Sequence, residues 1–389
     1  MRCFGLRFAY EQAKHAPERG KGRQPHAGAH LHEIRLGERG LHGFAPERGG
    51  VSSAPLTERP GLEPPVASRT TRSTTQQDGR DENREERTMQ IAIVGLGKMG
   101  GNMVKRLLGG GHQVVAYDRD PAAVERAASA GAVGAVSLAD TVTKLSATPG
   151  PRTVWVMVPS GKATDDSIAE LFDLLKAKDI VIDGGNSNYK DSIRHSEELA
   201  KKEIRFLDAG TSGGIWGLEV GYCLMLGGDK SAFDHVLPAL TTLAPKDGLG
   251  YFGKAGAGHY AKMVHNGIEY AMMQSYAEGF ELLKATDYDY DLAKLADVWN
   301  RGSVVRSWLL ELAGRAFKND PGLTHLKGYV EDSGEGRWTV NEGVARAVPV
   351  PTIAAALFAR FTSRQENSFA MRVIAALRNE FGGHAVKKA

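Results

Sequence analysis

The stretch Gly95-Leu96-Gly97-Lys98-Met99-Gly100 constrains this chain more than any other. Three glycines spaced GxGxxG say little alone. Here a wholly apolar run, Ile91 to Val94, precedes them, and Met103, Leu107 and Leu108 recur at helical spacing after them. Gly109 to Gly111 stop that helix, and "QVVAYD" gives a second strand that ends on Asp118. Strand, glycine turn, helix and strand within about 30 residues make a βαβ unit. In that setting the motif is a dinucleotide fingerprint: the glycines let the backbone approach a pyrophosphate at a helix N-terminus. Gly95, Leu96, Gly97, Lys98, Met99, Gly100, Asp118 and Arg119 are therefore candidate cofactor residues. Asp118 stands where ribose hydroxyls are received, and it repels a 2′-phosphate by about 4 kcal/mol at 4 Å and a surface-like dielectric. NAD is expected, with NADP possible because Arg119 is placed to pair with that phosphate.

The alternation continues. Segments 153–159, 179–183, 205–209 and 222–228 read as strands, with helices around 164–177 and 190–202. This predicts a mainly parallel, doubly wound sheet to about residue 252. Helical patterns then take over at 256–285, 291–318, 339–347, 351–363 and 366–381. The expected architecture is α/β: a Rossmann-type domain over 89–252, then an all-α domain over 253–389 that serves substrate binding and dimerisation. Residues 1–88 lack periodicity and are rich in Gly, Pro, Arg and Ala, so they are expected to be disordered, or an over-extended reading frame with Met89 as the natural start. They have no apolar segment of a secretory signal, and too many acidic residues for a transit peptide. His26, His30 and His32 lie there with nothing nearby to fix a metal geometry.

The net charge of +3 belongs wholly to residues 1–88; acidic and basic residues balance over 89–389. A balanced body argues against a nucleic-acid or membrane-surface protein. The two cysteines, Cys3 and Cys223, offer no disulfide framework, which fits a reducing cytoplasm. No apolar run approaches the roughly 18 residues of a membrane span.

Three later stretches carry chemistry. In "AKMVHNGIEY" (261–270), Lys262, His265, Asn266 and Glu269 fall at i, i+3, i+4 and i+7, one face of a helix. Such a stripe is ordinarily a solvated surface. Met263, Val264, Ile268, Ala271 and Met272, however, spread apolar surface over much of the circumference, as in a buried helix, and the polar stripe then faces a cleft. A lysine there loses solvation, its pKa falls, and it becomes a usable general base. "DGGNSN" (183–188) follows a strand at the sheet's carboxyl edge, so Asn186 can meet a substrate hydroxyl or the nicotinamide ribose; from the segment alone an ordinary Gly-Asn turn is the default reading. "TSGGIWGLEVG" (211–221) sets Ser212 before Gly213 and Gly214, either a backbone cradle for a carboxylate or a flexible loop.

"DGGNS", "SGG" and "KMVHNGIEY", in that order, resemble the 6-phosphogluconate dehydrogenases, the decarboxylating enzymes of the pentose phosphate pathway, in their shorter form. The resemblance covers essentially all of 89–389 and none of 1–88. It implies that Lys262 takes the C3 hydroxyl proton, that its ammonium rather than a metal then polarises the new carbonyl, and that Glu269 protonates the enediol. By the same resemblance Ser212, Gly213 and Gly214 hold the substrate carboxylate; Asn186, His265 and Asn266 meet its hydroxyls; Tyr270 and Arg306 approach the 6-phosphate. Arg378 and His384 resemble tail residues that enter a neighbouring subunit's site, which implies a homodimer or homotetramer. One departure stands out. The longer members read "KGTGKWT" where this chain has "SGEGRWT" (333–339), so Ser333 and Glu335 replace phosphate-binding residues, and Arg337 is the available compensation. Glu335 is expected to point away from the phosphate, or the phosphate site to be rebuilt. Two alternatives stay open: a β-hydroxyacid dehydrogenase for another 3-hydroxy acid, and a non-catalytic NAD-binding regulator on the same fold.

Overall fold

The computed structural model describes residues 88–145 and 150–388. The readings made for the leader, including His26, His30 and His32, lie outside these residues. Eight strands form one sheet: β1 (Gln90–Val94), β2 (Gln113–Tyr117), β3 (Val133–Gly134), β4 (Thr153–Val156), β5 (Ile180–Asp183), β6 (Arg205–Ser212), β7 (Cys223–Gly228) and β8 (Leu249–Tyr251). Their spatial order is β3-β2-β1-β4-β5-β6-β7-β8. All neighbours run parallel except β6 and β7. The chain between those two is too short for a helical crossover, so it returns antiparallel. That connection is the Ser-Gly-Gly loop, and it therefore sits at the carboxyl end of β6.

Successive strand residues alternate between two faces, and both faces are buried. Ile91, Ile93 and Trp155 pack on one side with Met103, Leu107 and Leu240. Ala92, Val94 and Val156 pack on the other with Leu138, Leu171 and Phe206. The helices that cover the sheet are α1 (Lys98–Gly109), α2 (Pro121–Ser129), α3 (Leu138–Leu145), α4 (Lys162–Leu174), α5 (Tyr189–Ala200), the short α6 (Gly217–Val220) and α7 (Lys230–Leu243). β3, β8, α2, α3, α6 and α7 add to the elements expected from the sequence.

Beyond the sheet come α8 (Ala257–Lys284), α9 (Leu292–Trp299), α10 (Trp308–Asn319), α11 (Glu335–Ala345), α12 (Pro351–Ser363) and α13 (Phe369–Gly382). The single helix expected over 291–318 is two. Gly302, at φ +79°, turns the chain between them, and Ser307 caps the second by accepting the Leu310 N–H at 3.1 Å. The helix expected to begin at 339 starts one turn earlier, at Glu335, after Gly334 at φ +100°.

α8 is docked on the sheet by a buried carboxylate. Its N-cap, Gly256, has no side chain to receive the first amides. Asp208 of β6, fully buried, supplies both acceptors: Oδ1 takes the Gly256 N–H at 2.7 Å and Oδ2 the His259 N–H at 2.7 Å. A carboxylate at a helix N-terminus also complements the helix dipole. Glycine at 210 allows the close approach, since a Cβ there would lie 2.5 Å from Lys262 Cβ.

Candidate active site

A cavity of about 1040 Å³ lies between the carboxyl edge of the sheet and α8. Lys262, His265, Asn266 and Glu269 all line it, so the polar stripe faces a cleft. Asn186, Ser212, Gly213 and Gly214 line the opposite wall, and Met99 reaches in from the glycine turn. Lys262 is 7% exposed. Burial lowers its pKa from the ordinary lysine value, and the nearby Glu269, Glu335 and Cys223 partly oppose that shift. No carboxylate among the described residues pairs directly with its ammonium. The lysine is thus held where deprotonation costs less than in water. His265 Nδ1 lies 2.9 Å from Asn266 Oδ1 and 3.8 Å from Glu269 Oε2, while Nε2 is 3.4 Å from Ser212 Oγ.

The Ser-Gly-Gly loop is tied down by residues the sequence reading did not single out. Arg106 of α1 donates to the Leu218 carbonyl at 3.1 Å and the Thr242 carbonyl at 2.8 Å, and Asn102 donates to the Ile215 carbonyl at 3.3 Å. Gly213, at φ +128°, takes a conformation closed to other residues.

The three fingerprint glycines have different tasks. Gly95 is at φ +93°, and a Cβ on Gly100 would lie 2.0 Å from the Gly95 carbonyl oxygen, so both are needed by the protein's own backbone. A Cβ on Gly97 would meet nothing within 4 Å. Packing does not require glycine there; the open space over the N-terminus of α1 suits a pyrophosphate. Alongside lies a pocket of about 350 Å³ lined by Gly95, Gly97, Asp118 and Arg119, with Asp166 and Glu170 from α4. Asp118 Oδ2 accepts the Leu96 N–H at 2.6 Å and Oδ1 the Asp120 N–H at 2.8 Å, which fixes its carboxylate at the pocket edge. Asp166 is paired with Lys162 at 2.8 Å, which leaves Asp118 and Glu170 as the other carboxylates of this pocket beside Arg119. The residues present therefore fit a nicotinamide dinucleotide.

Residues 90–258 match the NAD binding domain of 6-phosphogluconate dehydrogenase, and residues 258–380 its C-terminal domain. The chain belongs to the 6-phosphogluconate dehydrogenase family. It is 45% identical over 302 residues to the NAD(+)-dependent, decarboxylating 6-phosphogluconate dehydrogenase of Haloferax volcanii, covering 77% of this chain and 99% of that one. Against the human decarboxylating enzyme it is 38% identical over 293 residues, covering 70% of this chain but only 59% of the other. The Plasmodium falciparum 6-phosphogluconate dehydrogenase structure, described with NADP+ and with 6-phosphogluconate, superposes with a TM-score of 0.65 at 29% identity, covering 77% of this chain and 66% of that chain. The chain thus spans less than two thirds of these longer relatives. A Mycobacterium tuberculosis 3-hydroxyisobutyrate dehydrogenase, at 24% identity and a TM-score of 0.57, shares the fold.

Other residues assigned by family resemblance lie outside the main cavity. Tyr270 is buried, and its hydroxyl meets Ser333 Oγ at 3.1 Å and accepts the Ser333 N–H at 3.0 Å. Arg306 lines an adjoining cavity of about 670 Å³ with Arg301 and Arg315; Ser307 and Trp308 border both cavities. Arg378 and His384, on and just after α13, are exposed and line neither. Glu335 points inward: it is 2% exposed, and Oε1 accepts from Asn266 Nδ2 at 3.1 Å. Arg337 pairs with Asp332 at 2.6 Å.

Proposed function

We propose that this chain oxidises and decarboxylates 6-phospho-D-gluconate to D-ribulose 5-phosphate and CO2, with NAD preferred over NADP. The observation that carries this reading is the placement of Lys262 and Glu269 on one face of α8, opposite the Ser212-Gly213-Gly214 cradle. Lys262, held with a lowered pKa, takes the proton of the C3 hydroxyl. The bound dinucleotide supplies the acceptor for the hydride leaving C3. Protonated Lys262 then donates a hydrogen bond to the new C3 carbonyl, so that the electrons of the breaking C1–C2 bond flow onto that oxygen as CO2 departs. The oxygen takes the proton from Lys262. Glu269 protonates the carbon that carried the carboxylate, and Lys262 recovers its proton as the ketone forms. Ser212 with the Gly213 and Gly214 amides would hold the carboxylate, and Asn186, His265 and Asn266 the hydroxyls. Arg306 and Arg301, which line the adjoining cavity, would serve the phosphate end.

We also assign residues 89–252 to cofactor binding and 253–389 to substrate binding and assembly, as a homodimer or homotetramer in the cytoplasm. α13 buries none of its residues in its own chain, and Phe369, Met371, Leu377 and Phe381 are mostly exposed. A second copy covering that face would bring Arg378 and His384 to a neighbour's pocket. No described helix is long and apolar enough to cross a membrane.

The test is reduction of NAD and of NADP with 6-phosphogluconate, with CO2 followed in parallel. Matched reduction and CO2 release are expected, faster with NAD. Reduction without CO2, or turnover only on unphosphorylated 3-hydroxy acids, would overturn the reading.

A further inference from the structure

The steps above give Glu335 no task, yet it is buried beside the catalytic face. Its Oε2 has no hydrogen-bond partner, a costly state for a buried carboxylate oxygen. The packing that brings it there is specific. Gly267 of α8 lets α11 come close: a Cβ there would lie 2.7 Å from Thr339 Cγ2. Thr339 Oγ1 meets the Met263 carbonyl of α8 at 2.8 Å. Glu335, one turn before Thr339, is thereby pressed against Asn266.

Asn266 turns its NH2 toward Glu335 Oε1, at 3.1 Å, and its Oδ1 toward His265 Nδ1, at 2.9 Å, the orientation in which the carboxylate oxygen accepts. Glu269 Oε2, 3.8 Å from the same nitrogen, is too far for a hydrogen bond. The Asn266 acceptor keeps the imidazole proton on Nδ1. In the neutral ring Nε2 then carries the lone pair, and it faces Ser212 and the cavity. Glu335 also acts on Lys262 through space. The titratable groups around that lysine are Glu269 and His265 from α8, Glu335 from α11 and Cys223 from β7; Glu335 is one of those that favour its protonated form.

We propose that Glu335 is a positioning residue: through Asn266 it sets the tautomer of His265, so that Nε2 accepts a hydrogen bond from a substrate hydroxyl, and its charge steadies the lysine ammonium formed during turnover. The proposal rests on reading this cavity as the 6-phosphogluconate site. Glu335→Gln keeps the size, removes the charge and adds a donor, which frees Asn266 to flip.

Two readouts on the full-length protein test it. In ¹⁵N NMR of the histidines, with His265 assigned by loss of its signals in His265→Asn, the wild type should show an unprotonated Nε2, and Glu335→Gln a mixture of tautomers. In steady-state kinetics, kcat/KM for 6-phosphogluconate should fall about tenfold in Glu335→Gln, the upper worth of one hydrogen bond between neutral groups, with KM for NAD unchanged. The acid limb of the pH profile, set by protonation of Lys262, should move to lower pH. Glu335→Asp, which keeps the charge, should leave that limb in place. A wild-type proton on Nε2, an unchanged tautomer in Glu335→Gln, or an unmoved acid limb would each overturn the proposal. A wild type inactive on 6-phosphogluconate would instead sink the functional reading, while the NMR comparison would still report on Glu335.

Discussion

The two ends of the proposed active site are built in different ways. The dinucleotide end comes from one continuous βαβ unit: backbone amides, a glycine turn and a carboxylate, all within Gln90 to Asp118. The proposed substrate end comes from side chains on α8 and α11 and from the loops after β5 and β6, meeting across long stretches of sequence. The first needs open space and exposed N–H groups, so side chains there are mostly absent. The second needs defined protonation states: Lys262 and Asn266 are buried, His265 and Glu269 partly so, and their states are set both by neighbours on α8 and by Glu335 of α11. A local motif suffices for binding a common cofactor. Proton transfer requires a desolvated assembly that no single segment can supply.

The largest effect that would sharpen this contrast is loss of the base. Lys262→Ala should lower kcat by about 10²–10⁴-fold, the usual share of a general base, with NAD affinity little changed as read by fluorescence titration. Near-normal turnover would remove Lys262 from the chemistry. The pH profile adds a sign. Lys262 must be neutral to act, and burial lowers its pKa, so the acid limb of kcat/KM should lie well below the ordinary lysine value of about 10.4. A limb at that value would mean the lysine is solvated during catalysis.

Next in size is the anchor of α8. Asp208→Ala removes both acceptors of its first turn and should cost about 3 kcal/mol or more of stability, two hydrogen bonds to a charged group, measured by denaturant unfolding. An unchanged midpoint would mean that packing alone seats the helix. At the other end, Gly97→Val should raise KM for NAD about tenfold, a loss of about 1.4 kcal/mol, while the melting temperature moves little, because the space it fills is empty of protein. Equal losses of binding and stability would blur the comparison. The smallest expected change is in cofactor choice: Asp118→Ala should narrow the preference for NAD over NADP, and an unchanged ratio would transfer that role to Asp166 and Glu170.

Much of this was legible in the sequence. The first βαβ unit, the main strands and the long helix from Gly256 follow from hydrophobic period and glycine position. So does the polar face of α8, because i, i+3, i+4 and i+7 share a side whatever the surroundings. Other features were not. The segment 291–318 keeps an apolar period through Gly302, and only the observed turn and the Ser307 cap divide it. Asp208 reads as an ordinary strand residue; its bond to His259 spans 51 positions.

Glu335 shows the limit most clearly. Its neighbours in sequence mark it as a departure from the family pattern and give no direction for its side chain. Its bond to Asn266 crosses 69 positions and depends on the contact of Gly267 with Thr339. By itself the sequence determined the fold class, the family and the residue types that face the cleft, because periodicity and short motifs act over a few neighbouring residues. The tertiary structure alone decided which carboxylate caps α8, how deeply Lys262 is buried and which way Asn266 turns, because desolvation and side-chain pairing depend on groups that only folding brings together.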